Sequence, residues 1–376
     1  MKILVAPDKL KDSLTALEAA AAIADGARRA MPDVQVDLCP LSDGGEGFVQ
    51  VLVEAHGGSL RETDVSGPLG DTVRAVWCML PDGTAVLESA EAIGLARVPT
   101  ARRDPTRATS FGLGQLVRAA LDDGARCIVM GLGGSATNDG GIGLAVALGA
   151  NLTPACALHP AGSDLARLVG VDRTRIDPRL AEVALVVATD VTSPLCGPRG
   201  AAQVFAPQKG ATSAQVAALD AGLAHYAAVL GDPGTQPGDG AAGGLGYGLR
   251  VLCGARVTSG AGLVLDAVSF DARLADADLV ITAEGRIDGQ SAEGKVVGEV
   301  CRRAAHHGVA VVALAGALRG DLTPLYEAGL TACFAIQDGP RDEDEARARA
   351  AASLTATTTN LVRLVQSGRV ARRSNR

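Results

Sequence analysis

Residues 127–148, CIVMGLGGSATNDGGIGLAVAL, join a short apolar run to a second one through a turn rich in glycine. The first run, residues 127–130, predicts a buried strand, and the second, residues 142–148, predicts a helix packed on a sheet. Glycine lets main-chain N–H groups approach an anion, and the start of a helix carries partial positive charge. The turn is therefore a candidate phosphate site. The alternative is a tight turn whose glycines serve only packing.

The composition indicates a protein with two α/β domains. The chain has 376 residues, more than a typical single domain, and 47% of them are hydrophobic while only 2% are aromatic. Cores built from alanine and glycine suit closely packed α/β layers. A net charge of −7 argues against nucleic acid as a partner, and aromatic residues for stacking on single strands are scarce.

No segment predicts secretion or membrane insertion. The apolar run at the start, MKILVAPDK, is too short for a signal peptide, and the best later run, residues 309–318, contains a glycine. The eight cysteines occur singly, which is typical of buried thiols in a reducing compartment and not of a disulfide frame or zinc site. We therefore expect a cytoplasmic protein with no membrane partner.

Charged residues follow the first predicted strand, at residues 2–6. They are Asp8, Lys9 and Lys11. Ser13 is the predicted N-cap of a helix over residues 14–30. In open α/β sheets the loops after strand C-termini bind ligands, so this loop is a candidate part of the site. The alternative is an ordinary solvated loop.

Two later predicted strands also end in carboxylates. The strand at residues 34–38 leads into SDGGEG, which contains Asp43, and the strand at 184–188 leads to Asp190 before a proline-containing loop. A carboxylate at the C-terminal end of an apolar strand is a good catalytic position.

The last third contains a further charged segment. A strand at residues 279–282 runs into AEGRIDGQSAEGK and then into a helix that ends at residue 305. The segment carries candidate ligands for phosphate, carboxylate or metal, namely Glu284, Arg286, Asp288, Ser291 and Lys295. Lys209 occupies another loop, FAPQKG, before an alanine-rich helix.

Strands and helices alternate in both the first and the last third of the chain. This pattern predicts a Rossmann- or flavodoxin-like parallel sheet built from both chain ends, with an inserted second α/β domain. We place the discontinuous domain at residues 1–60 and 260–376 and the inserted domain at 61–259. The active site is expected in the cleft between them.

Two nucleotide-binding motifs match only in part. Residues 289–295 fit most of the P-loop pattern, but Val296 stands where Ser or Thr should hold magnesium. Residues 131–136 fit the loose dinucleotide fingerprint, but the next extended segment, 150–153, lacks the acidic residue that the pattern requires. These departures disfavour a P-loop fold and a nicotinamide oxidoreductase.

Seven motifs in one order cover the chain from its first strand to its last helix. They are APDKLKDSLTA, SDGGEG, GLGGSATNDGG, ATDVTSPLCG, FAPQKGA, GAAGGLG and TAEGRIDGQSAEGK. This set resembles the bacterial glycerate kinase family that lacks a P-loop. The resemblance implies ATP-dependent phosphorylation of D-glycerate with Mg²⁺ in two α/β domains, one of them discontinuous. It favours 2-phosphoglycerate as the product, with 3-phosphoglycerate left open.

Roles follow from the needs of phosphoryl transfer, which are alignment, charge neutralisation and a carboxylate near the attacking hydroxyl. We predict that the nucleotide phosphates are bound by Gly133, Gly134, Ser135, Thr137, Asn138 and Lys209. We predict that glycerate is bound by Arg286, Ser291 and Lys295, and Mg²⁺ by Glu284 and Asp288. Asp190 is the predicted base, with Asp43 and Asp8 as alternatives, and Lys11 faces phosphate or carboxylate.

Two other functions stay open at this point. One is an NAD-dependent hydroxy-acid dehydrogenase, and the other is a non-catalytic sensor of an organic acid. The many charged residues at strand ends argue against a sensor, because a sensor needs no base. The oligomeric state, monomer or homodimer, is also left open.

Overall fold

The computed structural model describes residues 1–156, 158–292 and 294–374. The strands of this part of the chain are β1 Lys2–Val5, β2 Gln35–Leu38, β3 Ser59–Ser66, β4 Thr72–Met79, β5 Thr84–Glu88, β6 Cys127–Gly131, β7 Asn151–Thr153, β8 Gly170–Asp172, β9 Ala184–Ala188, β10 Arg256–Thr258, β11 Leu279–Ile287, β12 Val311–Leu318 and β13 Leu330–Ala335. The α-helices are α1 Ala16–Ala30, α2 Phe48–His56, α3 Ser89–Ile93, α4 Phe111–Asp122, α5 Ile142–Ala147, α6 Ala201–Phe205, α7 Ser213–Leu230, α8 Ala241–Cys253, α9 Gly260–Ala267, α10 Phe270–Leu274, α11 Val296–His306, α12 Thr323–Glu327, α13 Glu343–Ala348 and α14 Ala350–Ser374. None of these helices is long and apolar enough to cross a membrane.

The chain forms two compact units. Unit 1 consists of residues 1–43 and 261–376, and unit 2 consists of residues 44–260. The sequence-based boundary at residue 60 differs from the first of these boundaries because α2 packs within unit 2. The carboxylate of Glu88, at the end of β5, accepts from the N–H of Gly47 at 3.1 Å just before α2 begins. This bond ties the start of α2 to the sheet of unit 2.

Unit 1 contains a parallel sheet with the strand order β13-β12-β11-β1-β2. β1 is an inner strand, with Ile3 opposite Leu279 of β11 on one side and Val36 of β2 on the other. Numbered along unit 1, the strands have the order 2-1-3-4-5, which is that of flavodoxin-like folds. The prediction of one parallel sheet built from both chain ends is therefore confirmed. Such sheets bind ligands at the C-terminal ends of the two strands where the order reverses, here β1 and β11.

Two local predictions in unit 1 were wrong. β11 does not end at residue 282 but continues to Ile287, because β12 pairs with it as far as Leu318. The N-cap of α1 is Thr15 and not Ser13, since the Thr15 side chain accepts from the Glu18 N–H in a capping box. The Ser13 hydroxyl instead donates to the carbonyl oxygen of Arg347 at 2.9 Å.

Unit 2 contains a mixed sheet with the order β10-β9-β6-β5-β4-β3. β3, β4 and β5 form an antiparallel meander, whereas β5, β6, β9 and β10 are parallel. The C-terminal ends of β5, β6 and β9 lie side by side at one edge of this sheet.

Candidate functional site

In the sheet of unit 1 the strand order reverses between β1 and β11. At the C-terminal ends of these two strands, the loop after β1 lies against the end of β11. The N–H of Asp8 donates to the carbonyl oxygen of Ala283 at 2.9 Å. A Cβ added to Gly285 would lie 3.1 Å from the main-chain nitrogen of Lys11. Residues 8–11 therefore run beside residues 283–285, and two segments from opposite ends of the chain meet here.

Three carboxyl groups and a lysine meet at this point, and we call Asp8, Asp43, Glu284 and Lys9 the acidic cluster. The Lys9 ammonium lies 2.9 Å from Oδ1 of Asp43 and 3.7 Å from Oδ1 of Asp8. Asp8 is buried, and its Oδ1 also accepts from the Lys9 N–H at 2.7 Å. The Asp43 side chain remains 39% exposed, so its carboxylate is accessible from solvent.

The two more buried carboxyls of the cluster have raised pKa values. Burial, with the nearby charge of Asp43, raises the pKa of Asp8 to about 8. Burial also raises the pKa of Glu284 to about 7, against the opposing effect of the Lys295 ammonium. Oε2 of Glu284 is buried and has no hydrogen-bond partner in the described structure. An unpartnered buried carboxylate oxygen is suited to a metal ion or a substrate hydroxyl.

The other predicted residues of unit 1 are distributed around Glu284. Arg286 lies two residues further along β11, on the same face of the strand as Glu284, and is exposed. Lys295 lies at the start of α11, and its Nζ is 3.5 Å from Oε1 of Glu284. Lys11 has an exposed side chain.

Asp288 and Ser291 form a turn of their own. The Asp288 N–H donates to Oγ of Ser291 at 3.2 Å, and Oδ1 of Asp288 accepts from the Gln290 N–H at 3.0 Å. The described residues contain no group of three or more His, Cys, Asp or Glu side chains arranged to hold a metal ion. Mg²⁺ commonly binds one or two carboxylates together with substrate phosphates and waters, so Glu284 fits such a site.

In unit 2 the turn after β6 is a loop over residues 132–141, which we call the glycine-rich loop. A Cβ on Gly133 would lie 2.4 Å from Cα of Gly45, so Gly133 permits close packing of two main chains. Gly134 is exposed and adopts a φ of 64°, which favours glycine. In the described part of the chain, the N–H groups of Gly133, Gly134 and Ser135 donate to no backbone acceptor. These three N–H groups are suited to donate hydrogen bonds to a bound anion.

The N–H groups at the start of α5 are already bonded within the protein. The buried carboxylate of Asp139 accepts from the N–H groups of Ser110, Gly141 and Gly143 at 2.7, 3.1 and 3.3 Å. It also accepts from the hydroxyl of Ser110 at 2.7 Å. Asp139 therefore anchors the glycine-rich loop, and the prediction of phosphate binding rests on the earlier residues of the loop.

Lys209 lies beneath the glycine-rich loop. It ends a 3₁₀ turn, Pro207–Lys209, and is only 3% exposed. Its ammonium donates to the Ser135 hydroxyl oxygen at 3.1 Å and to the Thr137 carbonyl oxygen at 2.6 Å. Burial lowers the pKa of Lys209 to about 7. Lys209 thus contacts the glycine-rich loop from the interior of unit 2.

Thr137 and Asn138 are also fully buried. Neither polar atom of the Asn138 side chain has a hydrogen-bond partner in the described structure. The main chain here packs tightly, since a Cβ on Gly243 would lie 2.1 Å from the Thr137 carbonyl oxygen. Gly243 and its neighbours in the GAAGGLG motif therefore support the glycine-rich loop by close packing.

Asp190 lies just beyond the end of β9. Its Oδ1 accepts from the Ser259 hydroxyl at 2.8 Å and from the Gly260 N–H at 2.9 Å. The strand end places the carboxylate at the edge of the sheet that also carries the glycine-rich loop, because β9 pairs with β6.

Sequence reasoning missed Glu88, at the end of β5. This residue is 4% exposed, and burial raises the pKa of its carboxyl to about 7. The Ser89 hydroxyl next to it donates to the Gly133 carbonyl oxygen at 3.0 Å. The rule that identified Asp190, a carboxylate directly after an apolar strand, would also have found Glu88.

The acidic cluster lies where the strand order of a parallel sheet reverses, and the glycine-rich loop has N–H groups without a backbone acceptor in the described structure. Both features are typical of α/β enzymes that bind phosphate. Comparisons with known proteins identify a family within this class of enzyme. The model of the "Glycerate kinase family" matches residues 3–366. The glycerate kinase of Haemophilus influenzae is 43% identical over 97% of this chain and 99% of its own length. The glycerate 2-kinase of Escherichia coli is 42% identical over 98% of this chain and 99% of its own length.

A solved structure agrees with these sequence matches. The crystal structure of a protein assigned to glycerate kinase 2, from Salmonella typhimurium LT2, superposes with a TM-score of 0.81 at 41% identity. The match covers 98% of this chain and 99% of that one. The chain belongs to the glycerate kinase family. It is therefore an enzyme of the kinase class, and the prediction of a kinase is confirmed over the dehydrogenase and the sensor.

Proposed function

We propose that this protein transfers the γ-phosphoryl group of ATP to the 2-hydroxyl of D-glycerate with the help of Mg²⁺. The observation that carries the proposal is the glycine-rich loop, where three consecutive N–H groups have no backbone acceptor among the described residues, in a chain that belongs to the glycerate kinase family. The name of the Escherichia coli relative, glycerate 2-kinase, supports the 2-position.

The glycine-rich loop binds the nucleotide phosphates in this proposal. Gly133 and Gly134 offer main-chain N–H groups, and Ser135 adds a hydroxyl held by Lys209. Main-chain donors fixed by surrounding packing need no reorganisation when the phosphate charge arrives. The buried Thr137 and Asn138 hold the shape of the loop.

The acidic cluster binds the metal and the acceptor substrate. Glu284 has a buried oxygen without a partner and is the proposed Mg²⁺ ligand, with Asp288 as a second carboxylate nearby in sequence. Bound Mg²⁺ would neutralise phosphate charge during transfer. Arg286, exposed beside Glu284 on β11, binds the glycerate carboxylate with its planar pair of N–H donors, and Lys295, Lys11 and Ser291 assist it.

Asp190 is the proposed base that accepts the proton of the attacking hydroxyl. One of its oxygens is fixed by Ser259 and Gly260, so the orientation of the carboxylate is set in advance. The alternatives differ in their environment. Asp43 is held by the Lys9 ammonium, and Asp8 is buried with a raised pKa, which favours its protonated form near neutral pH.

The reaction is tested with purified protein, D-glycerate, ATP and Mg²⁺, followed by phosphorus NMR. We expect a new phosphomonoester signal split by one coupled proton, as for phosphate on the 2-position. Splitting by two protons would instead assign the 3-position. No signal with D-glycerate, L-glycerate, tartronate and erythronate would refute the proposed substrate class.

A further inference from the structure

Lys209 is an unusual residue in the interior of unit 2. Lysine is almost never fully buried unless it is paired, yet Lys209 is 3% exposed and takes part in none of the ion pairs of the described residues. Its hydrogen bonds go to two neutral oxygens, of Ser135 and Thr137. The Asp139 carboxylate acts on Lys209 electrostatically but forms no ion pair with it in the described structure, so burial of the ammonium remains unfavourable and stability does not explain this residue.

The chemistry of the ammonium determines the direction of the bond to Ser135. In its charged form the Lys209 side chain has only donors, so the Ser135 oxygen then accepts from it. The hydroxyl hydrogen of Ser135 therefore points away from Lys209 and is available to another acceptor. Ser135 lies in the same short segment as the open N–H groups of Gly133 and Gly134.

We propose that Lys209 is a positioning residue that orients the Ser135 hydroxyl as a hydrogen-bond donor to the phosphates of ATP. This inference rests on the proposed function, in which the glycine-rich loop binds the nucleotide. It changes the role of Lys209 from the sequence-based prediction of a direct phosphate ligand, because a side chain so deeply buried cannot reach a bound nucleotide without rearrangement.

The surroundings of Lys209 favour function over stability. Burial lowers the pKa of its ammonium to about 7, which reflects the unfavourable placement of the charge. The neighbouring Asn138 also keeps two buried polar atoms without partners. Unsatisfied buried groups concentrated around one loop are typical of a site organised for a ligand.

Four proteins test the proposal: Lys209→Met, Ser135→Ala, the double variant, and Lys2→Met as a control away from both candidate regions. Affinity for ATP is measured by calorimetry without glycerate, and the KM of each substrate is measured by turnover. We expect Lys209→Met to raise the Kd and KM for ATP about tenfold, the equivalent of about one charge-assisted hydrogen bond. The KM for glycerate should change less than about twofold in Lys209→Met. In the control Lys2→Met, the Kd and KM for ATP should also change less than about twofold.

The double variant separates positioning from a general structural role. If Lys209 acts through the Ser135 hydroxyl, the double variant binds ATP about as weakly as Ser135→Ala alone. Additive losses would overturn the proposal, as would unchanged ATP binding in Lys209→Met. Replacing a buried charge by an apolar side chain of similar size is often neutral or stabilising, so we expect an unfolding midpoint at or above that of the wild type.

The outcomes also separate this inference from the proposed function. If Lys209→Met fails to fold, Ser135→Ala carries the test alone, and an unchanged Kd for ATP in that variant overturns the proposal. Wild-type protein that does not bind ATP overturns both proposals. Wild-type protein that binds ATP through Ser135 and Lys209 but does not phosphorylate glycerate supports this inference and refutes only the substrate.

Discussion

The two candidate regions differ in the hydrogen-bonding groups that they offer. The acidic cluster of unit 1 is rich in acceptors, since Asp8, Asp43 and Glu284 contribute carboxyl groups and Glu284 keeps an unpartnered oxygen. The glycine-rich loop of unit 2 is rich in donors, since its open N–H groups lie above a buried lysine. Acceptors suit a metal ion or a hydroxyl, whereas donors suit phosphate. In the proposed function, metal and acceptor binding therefore fall to unit 1 and phosphate binding falls to unit 2.

Removing the charge of Asp190 should have the largest effect. Asn keeps an oxygen that can accept from Ser259 and Gly260, so Asp190→Asn removes the basic group with little change in local structure. We expect kcat to fall by about 10²–10⁴, as for loss of a general base. Steady-state kinetics check this value, with Asp344→Asn, an exposed change on α13, as the control.

A loss of less than tenfold in Asp190→Asn would move the base to the other region. Asp43→Asn would then be the next variant, because Asp43 is the accessible carboxylate of the acidic cluster. A large loss of kcat in Asp43→Asn and a small one in Asp190→Asn would place the base in unit 1 and so sharpen the division between an acceptor-rich and a donor-rich region.

The buried charge of Lys209 should make stability depend on pH. Its pKa is lowered in the folded protein to about 7 from the ordinary lysine value of 10.5, so between these values the unfolded chain binds the proton and the folded protein does not. The free energy of unfolding therefore rises with pH in this window, by about 2 kcal/mol between pH 7 and 9. Lys209→Met should lack this rise, which denaturant unfolding at several pH values measures.

Equal slopes for wild type and Lys209→Met would show that Lys209 stays protonated in the fold. The charge would then have a stronger partner than the two neutral oxygens.

Glu284→Gln should weaken the dependence on metal more than the binding of either substrate. The variant keeps the shape of the side chain but removes the charge next to Lys295. We expect the Mg²⁺ concentration for half-maximal activity to rise about tenfold, in the range seen when groups around a metal are changed. Activity is titrated with Mg²⁺, and Glu327→Gln, exposed on α12, is the control.

An unchanged Mg²⁺ requirement in Glu284→Gln would remove Glu284 from the metal site. Its raised pKa would then favour a proton-transfer role for the acidic cluster.

The smallest effect is expected for Arg286→Lys. Lysine keeps the positive charge but loses the planar pair of donors that matches a carboxylate. The KM for glycerate should rise roughly threefold, as for one weak hydrogen bond, while the KM for ATP stays the same. Arg175→Lys, an exposed change in unit 2, is the control. A change confined to the KM for ATP would instead assign Arg286 to the nucleotide.

Much of the fold could be predicted because strand ends are marked in the sequence. Apolar runs followed by charge or glycine located β1, β6 and β9, and the alternation of strands and helices predicted the sheet of unit 1. The length of β11 could not be predicted in this way. Glu284, Gly285 and Arg286 resemble a loop in sequence and become a strand only because β12 pairs with them.

The interior of the site was less predictable for a physical reason. Asp139 looks like one more polar residue of a turn, but it accepts hydrogen bonds from Ser110, which lies 29 positions earlier in the chain. Lys209 looks like an exposed phosphate ligand, since lysine is rarely buried. Contacts between distant segments decide both roles, and no local pattern encodes such contacts.

The position of β1 between β2 and β11 also determines when the sheet of unit 1 can be completed during synthesis. Its apolar residues Ile3, Leu4 and Val5 are fully buried in the finished sheet, yet their neighbour β11 begins at Leu279. At bacterial rates of about 5–20 residues per second, the ribosome needs roughly 15–50 s to reach that strand. Unit 2, which is continuous in sequence, emerges whole in the meantime. The sheet of unit 1 is therefore completed only when the last third of the chain has been made.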